Sequence, residues 1–154
     1  MNKKIRVVYI SLSGNTTHFV KKLSEYFNLW HDIDVNAIDV YTLVKNKETF
    51  KNETSPFIAI LPTYLEGGNG HETGTTEILT TPLREYLRFN DNYRLCKGIV
   101  GSGNKNFNDQ FCLTAKQYSK EFGFPVIDNF ELRGTDQDVV RIADKIIKIL
   151  NKYG

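Results

Sequence analysis

A buried strand followed at once by a polar turn stands near the start of the chain, where residues 5–17 read IRVVYISLSGNTT. The β-branched run over residues 5–10 predicts a strand buried in a parallel sheet. Apolar residues between Phe19 and Phe27 then recur with the period of a helix. The turn between them lies at a helix start, where backbone amides and the helix dipole favour an anion. It is therefore a candidate phosphate site, with an ordinary capped turn as the alternative.

The rest of the chain repeats this alternation of strand and helix. Further strands are predicted over residues 35–40, 56–61, 95–100 and 126–132, and helices start near residues 82, 110 and 136. The last helix is the most clearly marked, because Thr135 can cap it and acidic residues occupy its first turn. The pattern predicts one α/β domain over residues 1–154. Alternating strands and helices imply a parallel sheet covered on both faces. Of the strand orders that such sheets adopt, we expect 2-1-3-4-5, that of a flavodoxin-like three-layer sandwich around a five-stranded parallel sheet, because it makes neighbours of the three strands that polar loops follow.

Three polar, glycine-rich loops follow the first, third and fourth predicted strands. They cover residues 11–17, 62–76 and 101–109. In a sheet of the expected order, the carboxyl ends of these three strands are neighbours, and open α/β sheets bind their ligands at such ends. The loops therefore predict one shared ligand site.

The motifs of several other phosphate-binding proteins are missing. The first loop has no lysine, which a P-loop requires, and residues 11–16 and 101–106 both fail the GxGxxG dinucleotide fingerprint. Neither Cys96 nor Cys112 is followed by an arginine six positions later, as a small phosphatase would need. Pro62, Thr63 and Tyr64 stand where a receiver domain would need its phosphorylated aspartate. These comparisons argue against all four classes.

Composition and residue spacing argue against nucleic acid, membranes and metal ions as partners. A net charge of +2 over 154 residues does not suggest a nucleic-acid-binding face. No run is long enough to span a membrane, and no secretory signal is evident, so we expect a cytoplasmic protein with reduced cysteines. The histidines lack metal-ligand spacing, which predicts no metal site. We expect Cys96 in the core, Cys112 in packing contacts, and Trp30 to pack rather than to stack on a ligand.

The loop motifs resemble those of two related families. The SLSGNT of residues 11–16 resembles the flavodoxin phosphate loop, [ST]-x-[ST]-G-x-T. GSGNKNFND (residues 101–109) and NFELRGTDQD (residues 129–138) resemble the NrdI family, flavodoxin-like accessory proteins of class Ib ribonucleotide reductases. That family has SGN-[RK]-NF after strand four and FEL-x-GT at the end of strand five. The resemblance covers essentially the whole chain, although residues 66–76 are longer than in shorter members and Asn108 replaces a common glycine.

The resemblance implies FMN as the cofactor. The first loop would hold the phosphate, Pro62, Thr63 and Tyr64 would line the flavin ring, and Gly67 and Gly68 would lie near its N5 edge. A peptide that turns its carbonyl toward a protonated N5 is cheapest beside glycine. The implied cofactor-binding residues are Ser11, Ser13, Gly14, Asn15, Thr16, Pro62, Thr63, Tyr64, Gly67, Gly68, Asn69, Ser102, Gly103, Asn104, Asn106 and Phe107.

The same resemblance implies a redox role. FMN reduced by an unidentified flavin reductant would pass electrons to O2, and the superoxide would oxidise the dimanganese centre of a docked ribonucleotide reductase small subunit, which allows a tyrosyl radical to form. The protein would supply binding, electrostatics and a docking face rather than turn over a conventional substrate. Two alternatives stay open: a generic flavodoxin electron carrier, and a flavin-free binding module on the same fold.

Overall fold

The computed structural model describes residues 3–11, 14–62, 81–103 and 113–151. Strands and helices alternate through these ranges, and a 3-10 helix over Phe89–Leu95 leads into the fourth strand. The elements are β1 (Lys3–Tyr9), α1 (Asn15–His31), β2 (Ile33–Asp39), α2 (Val40–Lys45), β3 (Phe57–Pro62), α3 (Thr81–Arg88), β4 (Cys96–Gly103), α4 (Leu113–Phe122), β5 (Val126–Glu131) and α5 (Asp136–Asn151).

The five strands form one parallel sheet of order β2-β1-β3-β4-β5. This confirms the predicted α/β fold and its strand order. The central strand β3 is buried along its whole length, as the long apolar run in a doubly covered sheet requires. Because all strands run in the same direction, their carboxyl ends lie along a single edge, which we call the carboxyl edge.

Helices cover both faces of the sheet and produce three layers. On one face, α1 and α5 pack over the inward side chains of β1, β3 and β5. On the other face, α2, α3 and α4 pack over the alternate residues of β1, β3 and β4. Cys96 belongs to this second core, as predicted. None of the helices in the described ranges is long and apolar enough to cross a membrane.

Two local predictions need correction. Trp30 does not pack, since 74% of its surface is exposed. It lies in the last turn of α1, beyond Phe27, which is the last buried residue of that helix. The strand predicted over residues 35–40 ends at Asp39, and Val40 instead begins the short helix α2. Val40 and Leu43 are its buried residues, and this two-residue apolar side is too short to show a helical period in the sequence.

Candidate functional site

Hydrogen bonds to both neighbouring strands hold the two residues that directly follow β1. The amide of Ile10 donates to the carbonyl of Ile60 in β3 at 3.2 Å. The next amide, that of Ser11, donates to Oδ1 of Asp39 at the end of β2 at 3.3 Å. The first residue of the polar loop is therefore fixed at the carboxyl edge by backbone on one side and by a carboxylate on the other.

The start of α1 leaves part of its hydrogen-bonding capacity open. Its cap residue is Gly14, with φ of 91°, a left-handed conformation that favours glycine. Gly14 has no side chain to bond the first amides of the helix. The hydroxyl oxygen of Ser11 accepts from the amide of Thr17 at 3.2 Å, which leaves the amides of Asn15 and Thr16 without an acceptor from the cap. Such amides at a helix start are suited to an anion.

Thr16 carries the most informative side chain of the loop. The residue is 1% exposed, and its Oγ1 has no hydrogen-bond partner within the described ranges. A buried hydroxyl without a partner costs about 1–3 kcal/mol, so native structures rarely keep one without a reason. A ligand oxygen that accepts from this hydroxyl would remove that cost.

The neighbouring Thr17 differs from Thr16. Its side chain forms a hydrogen bond with Tyr9, the last residue of β1. Burial raises the pKa of the Tyr9 phenol, the Thr17 hydrogen bond partly opposes this, and the nearby Asp39 charge adds to the rise. The Thr17 hydroxyl is therefore already used within the protein.

Residues predicted from the second and third loops meet the first loop at the carboxyl edge. Pro62, the last residue of β3, is paired with Ser102 of β4, and both are buried. Gly103 ends β4, and its carbonyl accepts from the amide of Leu132 at 2.9 Å. Because β1 and β4 both flank β3, the strand ends that carry Ser11, Pro62 and Ser102 are adjacent.

The remaining predicted site residues fall outside the described ranges, as does Cys112. These site residues are Ser13, Thr63, Tyr64, Gly67, Gly68, Asn69, Asn104, Asn106 and Phe107. The described part of the predicted site consists of Ser11, Gly14, Asn15, Thr16, Pro62, Ser102 and Gly103. Where side chains are described, no group of three or more histidine, cysteine, aspartate and glutamate residues is placed to hold a metal ion.

Asp39 contacts the polar loop although no sequence motif marks this contact. Its Oδ1 accepts from the amide of Tyr41 at 3.0 Å and caps α2, while also accepting from Ser11. Burial raises the pKa of the Asp39 carboxyl, and hydrogen bonds from Tyr41, Ser11 and Thr42 only partly oppose the rise. An aspartate directly before a helix is a recognisable cap signal, but its second bond, to a loop 28 residues away, leaves no trace in the sequence.

The FELRGT segment contributes packing at this edge. The ring of Phe130 stacks on that of Phe19 in α1, with centroids 3.9 Å apart. A Cβ on Gly134 would lie 2.7 Å from Cδ1 of Phe19, and the φ of Gly134 is 78°. Thr135 then caps α5. The segment therefore fixes the start of α5 against the helix that carries the polar loop.

Comparisons with known proteins identify the family of the chain. Residues 7–144 match the family model described as NrdI flavodoxin like. A putative NrdI-like protein of Streptococcus pyogenes serotype M18 is 53% identical over 93% of this chain and 92% of its own length. The protein NrdI of Bartonella bacilliformis is 31% identical over 92% of this chain and 94% of its own.

A solved structure shows the same fold. A short-chain flavodoxin associated with a bacterial microcompartment superposes with a TM-score of 0.60 and 18% identity, covering 99% of both chains. At this identity the likeness concerns the fold alone. The family match spans most of the chain, and the curated relatives cover nearly all of it. The chain therefore belongs to the NrdI flavodoxin-like family.

Proposed function

We propose that the protein binds FMN at the carboxyl edge and acts as a redox partner of a class Ib ribonucleotide reductase. Membership of a flavodoxin-like family, together with the flavodoxin strand order, supports a flavoprotein redox role and implies a flavin cofactor. The NrdI names of the curated relatives support the ribonucleotide reductase association. The cytoplasm, where we expected the protein from its sequence, is part of the same proposal.

The buried hydroxyl of Thr16 is the observation that carries the proposal. It lacks a partner among the described residues, and it lies beside helix amides from which the cap residue Gly14 accepts no side-chain hydrogen bond. A phosphate has oxygens that accept from hydroxyls and amides alike, so it fits this set of donors. Residues 11–17 contain no lysine or arginine, which fits a site that holds a terminal phosphate by neutral donors. With no dinucleotide fingerprint in the sequence, FMN fits better than FAD or NAD.

Each described residue then has a proposed task. The amides of Asn15 and Thr16 and the hydroxyls of Thr16 and Ser11 would hold the phosphate. The Ser11 oxygen already accepts from Thr17, and its own proton stays available for donation. Gly14 supplies the left-handed turn into the helix. Pro62, Ser102 and Gly103 would flank the flavin side of the site, continued by the predicted residues of the second and third loops.

The bound flavin would supply transfer of one electron at a time to O2, so that superoxide forms and reaches the dimanganese small subunit. The protein's own part is to hold the cofactor at the carboxyl edge and to dock the subunit there. A docking face next to the flavin follows from the chemistry, because a short-lived oxidant must travel a short distance.

Identification of the cofactor tests the first half of the proposal. Purified protein, reconstituted with a mixture of riboflavin, FMN and FAD and then washed, should release one FMN per chain on heating. Chromatography of the supernatant separates the three flavins. FAD as the main species, or no retained flavin, would contradict the proposal.

Radical formation tests the second half. The reduced protein is mixed with O2 and a manganese-loaded class Ib small subunit, and the tyrosyl radical is quantified by electron paramagnetic resonance. An equal amount of free reduced FMN serves as the control for superoxide made in bulk solution. We expect a radical yield well above that control. Equal yields would instead indicate a generic flavodoxin electron carrier.

A further inference from the structure

We infer that Asp39 is a positioning residue for the phosphate loop, which it holds in place through the amide of Ser11. The inference rests on the proposed binding of FMN. It assigns Asp39 no contact with the cofactor. Its task is to fix the entry of the loop so that the donors of the first turn of α1 converge on one phosphate.

The strand register places Asp39 where this contact is possible. Asp39 ends β2, Tyr9 ends β1, and the two residues are partners in the parallel ladder. The polar loop begins two residues after Tyr9, beside the carboxylate. One oxygen of that carboxylate accepts from the Ser11 amide at 3.3 Å and from the Tyr41 amide at 3.0 Å. A single atom thus joins the loop to the start of α2.

Electrostatics argue against a direct role in binding. A carboxylate beside a phosphate repels it, so a residue selected to bind the phosphate would not be acidic. Asp39 nevertheless lies next to the loop and directs an oxygen at two backbone amides. Because Asp39 accepts from two backbone amides and its charge disfavours contact with a phosphate, we assign it to ordering the loop rather than to binding the phosphate.

Ser11 is the residue through which Asp39 holds the loop. Its amide is held by Asp39, its hydroxyl oxygen by the amide of Thr17, and the preceding residue, Ile10, by the carbonyl of Ile60. Without the Asp39 contact, the β2 side of this arrangement is lost and the loop gains conformational freedom. Binding then has to order the loop, and affinity falls by the free energy of that ordering.

The test compares two flavins that differ only in the phosphate. Dissociation constants of FMN and riboflavin are measured by fluorescence titration of the apoprotein, and their ratio gives the preference for phosphate. We expect Asp39→Ala to lower this preference roughly tenfold, because one hydrogen bond that orders the loop is lost. Riboflavin affinity should change little. Asp39→Asn keeps an acceptor oxygen and a good helix cap but removes the charge that repels a phosphate, so it should retain the preference or raise it.

Leu43→Ala is the matched control for damage to α2. Leu43 lies in α2, is 4% exposed and packs in the second core, and it forms no part of the proposed site. This variant should lower the melting temperature without changing the preference for phosphate. If Asp39→Ala does not fold, Asp39→Ser replaces it, because serine still caps α2 while its oxygen lies one bond closer to the backbone.

Four outcomes decide between these possibilities. A tenfold loss in Asp39→Ala that is restored in Asp39→Asn supports the inference. An unchanged preference in Asp39→Ala overturns it, and so does an equal loss in Asp39→Asn, since the acceptor oxygen would then be irrelevant. Equal affinity of the wild-type protein for FMN and riboflavin would instead contradict the proposed phosphate site itself.

Discussion

Beside the start of β3, four buried or half-buried polar residues satisfy one another, whereas at the carboxyl edge the Thr16 hydroxyl has no partner among the described residues. We call the first group the anchor cluster: Arg6, Glu53, Tyr86 and Asn92. Arg6 donates from Nε and Nη2 to the two Glu53 oxygens at 2.8 and 2.9 Å. The hydroxyl of Tyr86 donates to one of the same oxygens.

Asn92 completes the anchor cluster. Its Oδ1 accepts from the amide of Glu53 at 2.8 Å, and its Nδ2 donates to the carbonyls of Lys51 and Tyr86, at 3.0 Å each. Burial alone would raise the pKa of the Glu53 carboxyl, but hydrogen bonds from Arg6 and Tyr86 and the charge of Arg6 hold it below its usual value. The cluster therefore ties residues 51–53 to α3 and β1.

The two regions differ in how their buried polar groups are satisfied. Burial and a perturbed pKa are common signs of a functional site, and the anchor cluster has both. Its hydrogen bonds are nevertheless made within the protein, so it has nothing left to offer a ligand. Thr16 has an uncharged side chain, and its hydroxyl has no partner within the part of the chain that the structure describes. The proposed binding edge thus contains a buried hydroxyl without a partner among the described residues, whereas the anchor cluster contains a perturbed carboxyl whose hydrogen bonds are made.

Removal of Glu53 should produce the largest effect on stability. Glu53→Ala leaves the Arg6 guanidinium and the buried Tyr86 hydroxyl without their acceptor, which should cost about 3 kcal/mol of unfolding free energy. Urea denaturation of the apoprotein measures it. FMN affinity, measured on the folded fraction, should stay within about twofold of the wild type, because the anchor cluster forms no part of the proposed site. A change of about twofold is smaller than the loss of one hydrogen bond would produce. A large loss of FMN affinity with normal stability would reverse the roles of the two regions.

Gly134→Ala should have the next largest effect. The new methyl group would lie 2.7 Å from the Phe19 ring, which is stacked on Phe130, and the backbone keeps a φ of 78°. Overpacking and left-handed strain together should cost about 2 kcal/mol of stability. Gly14→Ala provides a matched control, because its φ is 91° but a Cβ there meets no atom within 4 Å. Equal losses in both variants would mean that the Phe19 contact contributes nothing.

Thr16→Val tests the unsatisfied hydroxyl directly. Valine has nearly the same shape, and the lost hydroxyl makes no bond within the described chain, so apoprotein stability should not fall. FMN affinity should fall at least about tenfold, equivalent to about 1.5 kcal/mol, because a hydrogen bond to a charged phosphate is lost. Fluorescence titration gives the affinity, and urea denaturation gives the stability.

Thr17→Val is the control for this position. The Thr17 hydroxyl bonds Tyr9 within the protein, so its loss should lower stability slightly and change FMN affinity less than Thr16→Val does. Equal effects of the two variants on affinity would show that the loop is misassigned.

Much of the fold was predictable because its signals are local. The apolar run before residues 11–17 and the alternation of strands with amphipathic helices predicted a parallel α/β sheet, and the flavodoxin-like strand order expected for it is confirmed by the structure. The Thr135 cap was predicted from residue type and is confirmed by its bond with Asp138. The anchor cluster was not predictable, because Arg6 and Glu53 are 47 residues apart and each looks like an ordinary surface charge in the sequence.

For the candidate site, too, residue types were predictable from the sequence and long-range contacts were not. Residue types in the first loop suggested a phosphate, and the structure brings Ser11, Pro62 and Ser102 to adjacent strand ends. The family resemblance placed Thr16 rather than Thr17 in the site, but the contact of Thr17 with Tyr9 that separates the two hydroxyls depends on the fold and was invisible in the sequence. The contact of Asp39 with the loop was missed for the same reason, since it depends on the register of β1 and β2.

Thr135→Ala should have the smallest effect and tests whether a satisfied group at the carboxyl edge behaves like the anchor cluster. Thr135 and Asp138 bond reciprocally: the Thr135 amide donates to Oδ2 of Asp138 at 2.8 Å, and the Asp138 amide donates to Oγ1 of Thr135 at 3.1 Å. Loss of the cap should cost about 1 kcal/mol of stability, and Thr135→Ser should restore most of it. Because the Thr135 hydroxyl is already used within the protein, FMN affinity should remain unchanged. A fall in affinity comparable to that of Thr16→Val would mean that location at the carboxyl edge, rather than an unsatisfied donor, identifies the residues that bind the cofactor.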